Sequence, residues 1–156
     1  MAIKRYFSNS DNTITNAFQS DSSTRGTGSN AGQADILEIF SLYGNNTTSS
    51  VELSRALIQF DISEISTDRT NSIIPASGSV SFYLKLYNAP HPSTLPRDYK
   101  LEVYAISGSW EEGIGIDLDS HSDLTKDIIG SNWIRRTGST SWSTAGGDYY
   151  TDNSSS

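Results

Sequence analysis

The densest apolar alternation in the chain lies in Ser-Arg-Ala-Leu-Ile-Gln-Phe-Asp-Ile-Ser-Glu-Ile, from Ser54 to Ile65, and it stops abruptly at Asp61. A β-strand repeats every two residues, so Ala56, Ile58 and Phe60 share one face and Arg55, Leu57 and Gln59 the other. The first face is wholly apolar. The second carries one aliphatic side chain between two long polar ones. That pattern predicts a strand of a two-layer antiparallel sandwich, with Ile58 and Phe60 on the core and the opposite face wetter. Asp61 reads as the turn residue that ends the strand, not as a catalytic acid.

Two further stretches alternate in the same way. From Ser79 to Tyr87, Val80, Phe82, Leu84 and Leu86 are predicted to face inward, with Ser81, Tyr83, Lys85 and Tyr87 outward. From Tyr99 to Ser107, Leu101, Val103 and Ala105 take the inner positions, and Trp110 follows as a core residue at the end of that strand. Between them, residues 88–96 hold three of the four prolines and form a connection. Ala34 to Tyr43 is apolar on both parities and fits a helical spacing as well. Its shortness, its aromatics and the turn-forming Gly44-Asn45-Asn46 favour a strand. The text after Asp61, Ile62-Ser63-Glu64-Ile65 and onward to Asn71, reads as a polar loop.

Residues 1–33 divide from this pattern as an N-terminal arm and polar loop. The first part alternates weakly around Ile3, Tyr6, Ile14 and Phe18, and Gln19 to Gln33 is Ser, Thr, Gly and Asn with Arg25 as its one cation. A loop of that length is expected to be functional or mobile. Residues 34–156 then form the sandwich domain. Past Glu111 the alternation fades, and the chain stops in Ser without a closing strand. About five or six strands are counted where a closed jelly roll has about eight, which reads either as a small sandwich or as the front part of a longer protein with an incomplete C-terminal half, the second being favoured.

Composition narrows the class. Only 35% of residues are hydrophobic, the balance being made up by Ser, Thr, Asn and Gly, which suit turns and solvent-facing strand positions. A net charge of -7, with Lys and Arg scattered and no basic stripe, argues against nucleic acid as a partner. There are no cysteines, so disulfides and thiolate metal sites are excluded. Met1 to Phe7 has basic residues with no apolar run behind them and is not a signal peptide. No run approaches the roughly 20 apolar residues needed to cross a bilayer, so no membrane partner is expected.

Few constellations suggest chemistry. His91 sits among prolines and His121 in an acidic run, neither at a diagnostic distance from a Ser or Cys, so no enzyme and no catalytic residue is expected. Glu111-Glu112 beside Trp110 superficially resembles a glycosidase acid next to a stacking ring, but reads more simply as a surface turn. Gly113-Ile114-Gly115 lacks a third glycine for a phosphate loop. Asp117, Asp119 and Asp123 offer a weak Ca²⁺ cage that departs from the EF-hand at Ser122 and Ile128; no other cofactor is expected. Trp133, Trp142 and Tyr149 lie in polar, Gly-rich text, either pinning loops in the core or contacting a glycan or a protein partner.

The order of these elements resembles a known family. Arg55-Ala-Leu-Ile-Gln-Phe-Asp-Ile-Ser-Glu-Ile, Ser79-Val-Ser-Phe-Tyr-Leu-Lys-Leu and Leu101-Glu-Val-Tyr-Ala-Ile-Ser-Gly-Ser-Trp-Glu-Glu together look like the DNRLRE-type jelly-roll module. The resemblance covers roughly Ala34 to Trp142. Other pieces, Asp11-Asn-Thr-Ile-Thr-Asn-Ala-Phe, Gly28-Ser-Asn and Gly146-Gly-Asp-Tyr-Tyr-Thr-Asp, resemble structural proteins of marine tailed bacteriophages. The resemblance implies an all-β antiparallel sandwich or jelly roll. It implies a non-catalytic module in the virion, as a head decoration, neck or tail component, binding other virion proteins in many copies. The alternative it leaves is a carbohydrate-binding module. The family's closing half is missing here, and its sugar-binding residues have no counterparts on this chain.

Overall fold

The computed structural model describes residues 3–43, 51–76, 78–90, 98–116 and 130–151. Among them the chain is β-rich, with one small sheet and one short helix: β1 (Ser8–Thr15), β2 (Ser41–Tyr43), β3 (Val51–Phe60) and α1 (Ile62–Thr70). The sheet order is β1-β3-β2, which places β3 at the centre. β2 runs antiparallel to β3, with Ser41 opposite Leu53, Leu42 opposite Glu52 and Tyr43 opposite Val51. The chain divides into two compact units, Met1–Asn9 with Gln59–Lys100, and Ser10–Ile58 with Leu101–Ser156. This grouping crosses the boundary drawn at residue 33 from sequence.

In the second unit β1 is the most buried element, although Ser10-Asp11-Asn12 within it has little intrinsic preference for a strand. Side chains hold it there. Thr15 Oγ1 donates to the Leu53 carbonyl at 2.9 Å, and Thr13 Oγ1 accepts the Glu38 N–H at 3.0 Å. Strand formation here follows tertiary surroundings, as it often does. Beyond the β2–β3 ladder, Ser54 extends the pairing with its own hydroxyl, which accepts the Phe40 N–H at 2.7 Å and donates to the Glu38 carbonyl at 2.8 Å. Residues 34–40, predicted as strand, are therefore tied to β3 without being ladder residues themselves.

The core of this unit is Ile14, Leu57, Trp133 and Trp142, with Leu53, Ile106 and Trp110 packed against it. The face of β3 that carries the core is thus the opposite of the one predicted. Leu57 is 4% exposed, whereas Ile58 and Phe60 are only half-buried. The physical reason is Arg55. Its guanidinium lies 5.2 Å from the Trp133 ring centre and donates to the Gly146 carbonyl at 2.6 Å, so a residue that marks a wet face in a sequence is absorbed into the inner one.

The tryptophans reach the core from a stretch without alternation. Residues 132–142 fold back on themselves: Arg136 N–H donates to Thr140 O, Trp142 N–H to Ile134 O, and Arg135 bridges Ser141. Trp142 Nε1 donates to the Asn132 carbonyl at 2.8 Å, so its polar edge is satisfied inside. Gly146 has φ +92°, and a Cβ there would stand 2.8 Å from Trp133 Cζ2; only glycine fits at this turn.

The first unit contains α1, where a polar loop was expected. Asp61 ends β3 and caps the helix, its carboxylate accepting the Ser63 N–H at 2.8 Å. The helix has no apolar stripe, which is why periodicity missed it. Ser66, Thr67 and Thr70 return their hydroxyls to carbonyls four residues back. Asp68 is buried and accepts from Tyr6 Oη at 2.8 Å and Lys4 Nζ at 3.0 Å, with Glu64 3.6 Å from the same Lys4 Nζ. Residues 4–6 are in this way fastened to α1.

Candidate functional site

After α1 the Ile73 N–H closes onto the Asp68 carbonyl at 2.8 Å and Ile74 is buried. From Val80 to Pro90 the backbone then forms no helix, turn or ladder pair among the described residues. Its side chains stand in the open. Phe82, Leu84 and Leu86, predicted as core, are 57%, 45% and 48% exposed, and Val80 is half-buried. The other parity is open as well, Tyr83 and Tyr87 most of all. Lys85 Nζ lies 4.8 Å from the Tyr87 ring centre, a cation–π contact along one side of the segment. A row of apolar and aromatic side chains of this kind is what a protein surface normally avoids unless something covers it.

In the second unit Leu101 and Val103, also predicted as core, are exposed. The predicted strand from Tyr99 to Ser107 is reduced to a bridge between Ile106 and Tyr149, with Tyr150 N–H donating to Ala105 O at 2.9 Å and Ser107 N–H to Asp148 O at 3.0 Å. Around this bridge the rings gather. Tyr104 and Tyr149 have centroids 4.9 Å apart, and the Arg55 guanidinium stands 5.1 Å from Tyr149 as well as beside Trp133. Tyr149 is thus at the solvent end of a cluster that begins in the core.

The residues singled out in the sequence separate clearly. Trp133 and Trp142 are 7% and 5% exposed and offer no ring face to a ligand; Trp110 is half-buried against the core. Tyr149 remains accessible. Glu111 and Glu112 hold backbone: Glu111 accepts the Gly138 N–H at 2.8 Å and Glu112 the Asp11 N–H at 2.8 Å. His91, His121 and the Ca²⁺ candidates Asp117, Asp119 and Asp123 lie outside the described residues. Among the described residues no group of three potential metal ligands occurs, and no helix is long and apolar enough to cross a membrane.

Sequence reasoning missed two buried asparagines, Asn12 and Asn30. Asn30 donates to the Glu112 and Ser131 carbonyls, both at 2.7 Å, and accepts the Gly115 and Gly32 N–H groups at 2.8 and 3.2 Å. Asn12 donates to Ser131 O and Oγ and accepts the Ala31 N–H at 2.9 Å. Together they satisfy backbone from three distant stretches, so the polar loop at residues 19–33 is partly interior, with Gly26, Ser29, Asn30 and Ala31 buried. Gly113, at φ +85°, leaves room for the Asn30 amide: a Cβ would stand 2.5 Å from its Oδ1. The available signal was Asn-rich text flanked by glycines, which turns and caps share.

The carboxylates held low are those with hydrogen-bond donors or an ammonium beside them. The Ser143 and Thr144 N–H groups hold the Asp148 carboxyl below the usual range, Ser63 does so for Asp61, and Lys4 with Tyr6 does so for Asp68. Burial, reinforced by the nearby Glu112 charge, pushes Asp11 upward. No family model, curated protein or solved structure matches this chain.

Proposed function

We propose that the chain is a non-catalytic structural module of a bacteriophage virion, a head decoration, neck or tail component, that acts by binding other virion proteins in a multi-copy assembly. The observation that carries this reading is the open apolar row from Phe82 to Tyr87. A subunit whose partner arrives during assembly has a use for such a surface; a monomer working alone has a reason to bury it. The exposed Leu42 and Tyr43 on β2, an edge strand of the sheet, add a second place where a neighbouring chain could be met. We assign the fold more finely to an antiparallel β-sandwich of the DNRLRE jelly-roll type, on the alternation of β3 and of residues 79–87 and on the motif Arg55 to Ile65. Multiplicity then turns weak contacts into a firm attachment.

Mass spectrometry and immunogold labelling of purified virions test the proposal. The expected result is the chain on the particle at many copies; its absence from particles that contain the other structural proteins overturns it.

A second reading, a carbohydrate-binding module, is favoured by one observation, the exposed Tyr104–Tyr149 pair. Exposed tyrosine rings at a surface can carry a sugar face. A glycan array should then give hits that Tyr149→Ala abolishes, and an array without hits removes this reading.

A further inference from the structure

We infer that residues 79–87 pair with the same segment of a second copy of this chain, antiparallel and centred on Leu84, to form a two-fold dimer. This deepens the multi-copy reading above and rests on it. The first support is charge. At a net charge of -7 two copies repel, and they meet most easily where acid is absent. Residues 69–97 form the longest stretch without Asp or Glu, carrying only Arg69, Lys85 and Arg97 as charged groups. The exposed apolar row lies inside it.

The second support is the order of side chains. An antiparallel pair centred on Leu84 sets Phe82 against Leu86, Tyr83 against Lys85, Ser81 against Tyr87 and Leu84 against itself. Each Lys85, already 4.8 Å from its own Tyr87 ring, thereby has a tyrosine of the other copy directly opposite, with the second Lys85 only on the diagonal. Centring on Lys85 would oppose two ammonium groups directly. Because residues of one parity stay together, Val80, Phe82, Leu84 and Leu86 of both copies share one face. Residues 80–87 have no backbone pairing among the described residues, and the antiparallel contact gives their N–H and C=O groups a partner along one edge. Such a contact is self-complementary and closes at two.

The chain has no cysteine of its own, which makes cross-linking decisive. In the proposed pair the two residues 84 lie about 4.5–5.5 Å apart at Cα, within disulfide reach. The two Ser79 positions, ten residues out of register, lie about 34 Å apart. Oxidised Leu84→Cys should become a covalent dimer while Ser79→Cys stays single. Sedimentation velocity of the unmodified chain should show association that Leu84→Pro removes, with the near-ultraviolet circular dichroism of the buried tryptophans unchanged. Equal cross-linking of both variants, or association that survives Leu84→Pro, overturns the pairing and leaves the multi-copy reading standing. A chain that stays monomeric up to millimolar concentration and is absent from virions overturns both.

Discussion

β3 and the segment from Ser79 to Tyr87 carry the same two-residue alternation, yet one crosses the centre of a sheet and the other stands open. β3 has β1 on one side and β2 on the other, and its Leu57 sits among Ile14, Trp133 and Trp142. The later segment has equal or greater apolar content and no pairing partner among the described residues. Alternation therefore specifies that a face exists. What covers that face is decided by other parts of the molecule: two tryptophans from irregular chain in the first case, a second chain in our proposal for the other.

The largest test of this contrast is Trp133→Ala. Losing a buried indole from the small core should cost about 3–5 kcal/mol and unfold the second unit, read as loss of near-ultraviolet circular dichroism and a collapse of the melting transition. Next is Asn30→Ala, which strands the Glu112 carbonyl and the Gly115 N–H in the interior, while the Ser131 carbonyl keeps its bond from Asn12. We expect about 3 kcal/mol by chemical denaturation, and a change below about 1 kcal/mol would mean the hub is not formed. Leu57→Ala should cost about 2–4 kcal/mol and Phe60→Ala clearly less, because Phe60 is only half-buried. A larger loss for Phe60→Ala would reverse the face assignment of β3. At the small end, Phe82→Ser should leave the denaturation midpoint of the isolated chain within about 0.5 kcal/mol while weakening self-association.

Acid probes both units together. Asp148 in one unit, and Asp61 and Asp68 in the other, are held below their unfolded pKa, so the stability they contribute is complete above about pH 4. It is lost as pH falls further, through their folded values. Asp11, raised instead, acts in the opposite direction, favouring the folded state as it protonates. A thermal melting temperature that declines on acidification below about pH 4 is the expected outcome. Asp68→Asn should flatten the part of that decline seen in the helical signal of α1.

How much of this was legible beforehand can be followed residue by residue. The strand before Asp61 and the stop at Asp61 were readable from alternation and from a short acidic side chain suited to a cap. The inner face was misread because a hydropathy pattern counts Arg55 as polar, while the structure uses its planar cation between two rings. α1 is invisible to periodicity because Ile62-Ser-Glu-Ile-Ser-Thr-Asp-Arg-Thr has no apolar stripe and only Glu64 and Arg69 as strong helix formers; its cap and the buried Asp68 sustain it. The Asn12–Asn30 hub could not be located because Asn-rich text flanked by glycines does not point to Ser131, 119 and 101 residues away. Of the candidate contacts, only Tyr149 lies where a partner could touch it.

That hub carries a consequence for how the chain is made. Asn12 bonds to Ser131, 119 residues later, and Arg55 to Gly146, 91 residues later. At about 5–20 residues per second a ribosome needs roughly 6–24 s to cover the first of these gaps. During that interval the Asn12 side-chain amide lacks the Ser131 oxygens to which it donates, and the second unit cannot close. Such a high contact order predicts slow, late folding. The row from Phe82 to Tyr87 emerges well before closure, and on a polysome it is displayed beside identical nascent copies. A chain built this way has its best opportunity for homotypic pairing before its own interior is complete.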